Sequence, residues 1–234
     1  MKALNFFLII LLFLAFSACT TTQKEETFFL GLEFKEKQAL FHKTTISNSD
    51  EKKIDERITV TIIQKNYAEF SELKTILLSY NSIDENNIKD LCFSLPKEKK
   101  QSTVKMYFNG TIDTGTSIKV NYFFPLKNLK LKDSWEYGGI TYSIESKEKF
   151  NSKLGSFNAL KISFKGKREF AALNNALVNV NGFIFFDFEN KRILKSVEIA
   201  SLGTTIYTIT NELIDIKNNF NETDLNYACL NAKP

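Results

Sequence analysis

His42 is the sole histidine in 234 residues, and the three cysteines, Cys19, Cys92 and Cys229, stand far apart. Zinc sites draw on Cys and His at short, repeated spacings, so this inventory leaves metal binding without material. A nucleophilic triad would have to use His42 as its base, yet no Gly-x-Ser-x-Gly turn presents a serine to it. Asp113-Thr114-Gly115 sets one carboxylate in a tight turn, but proton sharing needs a second such loop and none is present. Asp133 and Glu136 flank Trp135. Three residues apart on a strand, they point to opposite faces, which argues against acid–base pairing. No phosphate-cradling loop, dinucleotide fingerprint, zinc-binding helix or calcium loop occurs. The expectation is a protein that is not an enzyme, with no cofactor and no metal. His42 then reads as a surface or partly buried strand residue.

Composition narrows the classes further. Hydrophobic residues make up 43% and charged residues 25%, which describes an ordinary globular chain and excludes disorder throughout. The net charge of +4 comes without a basic stripe, so no nucleic-acid partner is expected.

The first segment reads as an address. Lys2 supplies a short positive region, residues 4–16 are almost wholly apolar, and Ser17-Ala18-Cys19 follows. An apolar run of about 13 residues is too short to span a bilayer and suits a signal peptide. The arrangement resembles the bacterial lipoprotein signal, in which a peptidase cuts just before an acylated Cys; Phe16 departs from the usual Leu three positions before it. That resemblance implies lipidation of Cys19 and a membrane partner through two or three acyl chains, at ~0.8 kcal/mol per buried CH2. It also implies the cell envelope, the outer membrane before the inner, because no Asp follows the Cys. Residues 1–18 are thus expected as signal peptide, 19–27 as a polar tether, 28–216 as a β domain and 217–234 as a polar tail.

With Cys19 assigned to lipid, Cys92 and Cys229 remain. An even pair in an oxidising compartment suggests a disulfide. By chain entropy so long a loop would contribute at most about 4–5 kcal/mol. The alternative is two unpaired thiols.

The elements between them read as antiparallel β. Phe28, Leu30, Leu32 and Phe34 alternate along a first strand; 39–46, 58–65 and 73–80 give three more. Within 68–80, Phe70, Leu73 and Leu77 also fit a helix, and both readings stay open. Asn109-Gly110 and Asn181-Gly182 are preferred hairpin pairs, and Gly138-Gly139, Leu154-Gly155 and Leu202-Gly203 punctuate further returns. Such frequent turns predict a meander: mainly β, a single strongly curved antiparallel sheet, half-barrel or barrel-like, with one or two short helices. Ser82 with Glu85 forms a capping box ahead of Ile88, Leu91, Cys92 and Leu95, predicting one helix stopped by Pro96. Residues 97–100 then read as a solvated loop, and a second short helix falls at 171–177. The strand Phe183-Ile184-Phe185-Phe186 is apolar on both faces, so it is central or lines a cavity.

From Phe124 onward the chain resembles a group of uncharacterised bacterial envelope proteins. The residues that carry this are Pro125-Leu126-Lys127, Asp133-Ser134-Trp135, Gly155-Ser156-Phe157-Asn158-Ala159-Leu160-Lys161, Phe185-Phe186-Asp187 and Lys191-Arg192. Lys132, Leu154 and Leu194 depart from the group's usual Gly, Pro and Pro. The resemblance implies a curved antiparallel sheet and an envelope location, with no activity attached. A weaker fold analogy runs to half-barrel lipoprotein carriers. The functional expectation is a non-catalytic binding or envelope-maintenance module, its partner an apolar ligand or an envelope protein; such a module requires a lined cavity of roughly a few hundred Å3. The alternatives are a surface-exposed protein-interaction lipoprotein and, behind it, a hydrolase.

Overall fold

β-branched and aromatic residues at every second position fit a pleated, half-buried surface, and nearly the whole chain is written this way. In a computed structural model, which describes residues 25–49, 55–115, 123–170 and 176–227, 64% of the chain is strand and 4% helix. The strands are β1 (Phe28–Phe29), β2 (Ala39–Asn48), β3 (Asp55–Asn66), β4 (Phe70–Tyr80), β5 (Glu98–Tyr107), β6 (Ile112–Asp113) and β7 (Asn128–Leu129). They continue as β8 (Ser134–Tyr137), β9 (Ile140–Ser152), β10 (Gly155–Phe170), β11 (Ala176–Asp187), β12 (Arg192–Leu202) and β13 (Thr205–Lys217). Among the described residues one α-helix, α1, spans Glu85–Lys89.

Eleven strands form one antiparallel sheet in the order β6-β5-β4-β3-β2-β13-β12-β11-β10-β9-β8, and β1 pairs with β7 apart from it. The chain therefore runs from the middle out to one edge at β6, restarts at the opposite edge with β8, and comes inward until β13 closes against β2. The sheet is not closed into a barrel, but it wraps. Met106 near one edge and Tyr137 at the other pack against the same buried cluster. Register slips at Lys161/Ile162, Phe185/Phe186 and Leu213/Asp215 supply the bends. Lys161 and Phe185 are cross-strand partners, so two of these bulges stack into a corner.

The inner face of β8–β12 is filled. Leu160, Ile162, Ile184 and Phe186 meet Phe28, Leu30, Leu32, Phe124 and Leu129, which cross over them from the N-terminal segment and the β7 region. Trp135 lies parallel to Tyr142 at 5.4 Å and donates its Nε1–H to the Phe123 carbonyl. The outer face of β2–β4 is covered instead by α1 and the C-terminal segment: Phe41, Val60, Ile76 and Leu78 pack with Ile88, Phe93, Phe220 and Leu225. The segment after β13 is therefore more than a polar tail.

Several expectations are corrected. Asn181-Gly182 is no hairpin but the middle of β11, because a Cβ on Gly182 would lie 2.0 Å from the Val197 carbonyl oxygen. This glycine serves close strand approach rather than a turn. Gly138-Gly139 does make its turn, with φ of 57° and 77°. The capping box fails: Asp84, not Ser82, caps α1 by accepting from the Asn86 N–H, and the helix ends at Lys89, well short of Pro96. Residues 98–100 belong to β5 and not to a loop, and β4 settles the 68–80 ambiguity as strand from Phe70 on. The first strand is only two residues long; Leu30 and Leu32 are buried without a ladder. Of the second expected helix, 171–175 lie outside the described residues and the next two are strand. β11 is central, with Ile184 and Phe186 inward and Phe185 against Phe150 at 4.6 Å on the other face.

Candidate functional site

Toward β5 the inner face is not filled. There β2, β3, β4, β5 and β13 floor a cleft of about 340 Å3, closed on one side by Leu32 and Phe34. The ladder explains its texture. Ile63 lies opposite Leu73 and Leu73 opposite Val104; Met106 lies opposite Ile112. These rows make an apolar end. The adjacent row runs Leu40, Thr61, Thr75, Ser102, each opposite the next. His42 lies opposite Thr59 in the row beyond, and Asn211 opposite Thr44. The cleft thus grades across three strands from hydrocarbon to hydroxyl.

His42 stands in this wall, not on an open surface. The Ile193 backbone interacts with its ring and favours the protonated form. Burial of the imidazole lowers its pKa to about 4, partly opposed by that interaction, so it is neutral at neutral pH. Among the described residues, Arg192 is the one charged side chain of the lining, and its Nε lies 3.3 Å from Oδ2 of Asp187, which is buried. Asp187 also accepts from the backbone of Glu189 and Asn190 and from the Asn190 amide. The pair is neutral as a unit. Asn211 accepts from Thr44 Oγ1 through Oδ1, which leaves its amide N–H groups to the cleft.

The other sequence candidates fall elsewhere. Cys19 lies outside the described residues, as does Cys229. Cys92 is disulfide-bonded and follows α1, where the chain returns beside it: Phe93 N–H donates to the Asn226 carbonyl and Asn226 N–H to that of Leu91. Asp113 accepts from the Gly115 N–H, as a turn residue does. Among the described residues no three or more His, Cys, Asp or Glu gather in a way that could hold a metal, and no helix is long and apolar enough to cross a membrane. The cleft itself was missed residue by residue. Thr59 and Thr61 alternate with Ile58 and Val60, a pattern that ordinarily assigns the threonines to solvent.

No family model matches the chain, so the envelope-protein resemblance receives no family assignment, and no curated protein matches it either. Among solved structures it is similar to a Bacteroides fragilis protein provisionally described as exported, with a YmcC-like fold: 13% identity and TM-score 0.45, covering 82% of this chain and 100% of that one. It is also similar to a Parabacteroides distasonis protein provisionally described as a lipoprotein: 9% identity and TM-score 0.41, with the same coverage.

Proposed function

We propose that the protein is a lipid-anchored, non-catalytic envelope protein that holds an apolar ligand in the open half of its curved sheet. The N-terminal sequence supports the anchor at Cys19. The single observation that carries the binding role is the cleft of about 340 Å3, walled by Leu40, Leu73, Val104, Met106 and Ile112. That volume lies within the range of small-molecule sites, and apolar walls with a few polar groups are how such sites work. Native mass spectrometry of the chain purified from its envelope tests this. A retained lipid at one-to-one stoichiometry is expected, and a chain that carries none and takes up none from an envelope lipid extract contradicts the reading.

The pairing of Cys92 with Cys229 belongs to the same proposal. It is supported by the strand-like contact at Asn226, three residues before Cys229. Peptide mapping without reduction should yield that linked pair. A second reading, a protein-contact surface, draws on a shallow outer groove of about 460 Å3 across β9–β12, where Phe183, Val197 and Ile199 lie among Ser143, Ser163 and Asn181. Protease treatment of intact cells separates the two, since a periplasm-facing protein survives it.

A further inference from the structure

We infer that the cleft selects an amphiphile with an uncharged, hydrogen-bonding head, such as an acylglycerol or another acyl ester, over one with an ionised head. This rests on the cavity reading above and adds the class of ligand. The lining is graded, not uniformly apolar. Thr61, Thr75 and Ser102 form one continuous cross-strand row, with Thr59 and His42 beside it. Among the described residues, the hydroxyls of Thr59, Thr61, Thr75 and Ser102 have no hydrogen-bond partner within the protein, so each is open to a ligand. A bare hydrocarbon laid along this row would desolvate hydroxyls without replacing their bonds, an outcome that costs more than the contact returns.

The charge balance points the same way. Within the lining, Arg192 is already matched by Asp187, and His42 is buried and neutral. A carboxylate or phosphate entering beside them would be an extra buried charge with no unmatched cation to meet it. Hydroxyl and ester groups suit what is present: threonine and serine hydroxyls that both donate and accept, an imidazole nitrogen that accepts, and the Asn211 amide that donates. The acyl chain then lies toward Leu73, Val104, Met106 and Ile112, and the head lies toward Ser102, which is exposed.

The test uses the full chain in nanodiscs and two photo-crosslinking probes of equal chain length, a diazirine-bearing monoacylglycerol and the matching fatty acid at pH 8. Cross-linked peptides are mapped by mass spectrometry. The glycerol ester is expected to label β4 and β5 at least tenfold more efficiently than the fatty acid. The double variant Thr61→Val with Thr75→Val should keep the labelling but lose most of that preference. Equal or stronger labelling of the same strands by the fatty acid overturns the uncharged-head assignment while leaving the cleft as a ligand site. Labelling of those strands by neither probe overturns the cleft reading itself.

Discussion

The two halves of the inner face are built from the same antiparallel ladder and end in opposite states. Over β8–β12 the inward positions are Trp135, Tyr142, Leu160, Ile162, Phe164, Ile184 and Phe186, and a crossing segment with Phe28, Leu30, Phe124 and Leu129 fills the space above them. Over β2–β5 the inward positions include Thr59, Thr61, Thr75 and Ser102, and Leu32 and Phe34 of the N-terminal segment line the cleft beside them. A large ring at each inward position, with chain returning over it, makes a core. Short hydroxyl side chains, with none of the described residues packed over them, leave a cleft. The outer faces reverse the assignment: α1, Phe93, Phe220 and Leu225 cover β2–β4, whereas a groove stays open across β9–β12. The covered face is thus the inner one over β8–β12 and the outer one over β2–β4.

This contrast can be broken most sharply in the filled half. Phe124 is fully buried and its ring lies 5.2 Å from that of Phe186. Phe124→Ala should cost about 3–5 kcal/mol through lost burial and the cavity left behind, read by urea unfolding. The next effect belongs to the open half and depends on pH. His42 titrates near 4 when folded and near 6.5 when unfolded, so between those values only the unfolded chain takes the proton. Its contribution is complete above pH 6.5 and is lost as the pH falls to about 4. The loss is at most about 3 kcal/mol, reduced because the residue keeps some solvent contact. Comparing unfolding of the native chain with His42→Gln at pH 7 and pH 4.5 isolates it; a parallel pH dependence in both would remove this role.

Gly182→Ala tests the seam behind the filled half. The added methyl meets the Val197 backbone at 2.0 Å and the Phe164 ring at 2.7 Å, so a loss of about 1–3 kcal/mol is expected, again by unfolding. The smallest effect is the sharpest for the comparison. Thr75→Val in the cleft should change stability by no more than about 0.5 kcal/mol, since it removes a hydroxyl with no protein partner. A loss comparable to Phe124→Ala would mean that the cleft is core.

Much of this architecture could be read from alternation. The 58–65 and 73–80 runs, the Gly138-Gly139 turn and the antiparallel meander follow from a period of two and from residues that accept positive φ. What could not be read depends on neighbours distant in sequence. Asn181-Gly182 has the composition of a turn, but the closeness of Val197 and Phe164 decides its role. The helix stripe from Ile88 to Leu95 is real as a pattern, yet Leu91 to Phe93 are taken by hydrogen bonds with Asn226, which break the helix. The cleft was invisible for a similar reason: a threonine facing solvent and one facing a cavity occupy the same place in an alternating strand. His42 reads from the sequence as a surface or partly buried strand residue, and its place in the cleft wall depends on Thr59 and Asn211, which are distant in sequence.

On the proposed reading the β2–β5 half is a ligand cleft and not unfinished core. Its most direct test is binding of a fluorescent acyl ester to the full chain, compared between the native protein and Thr75→Phe, which fills the cleft from its floor. Saturable one-to-one binding to the native chain is expected, with its loss in Thr75→Phe at an unchanged unfolding midpoint. Equal affinity in both proteins would contradict the reading.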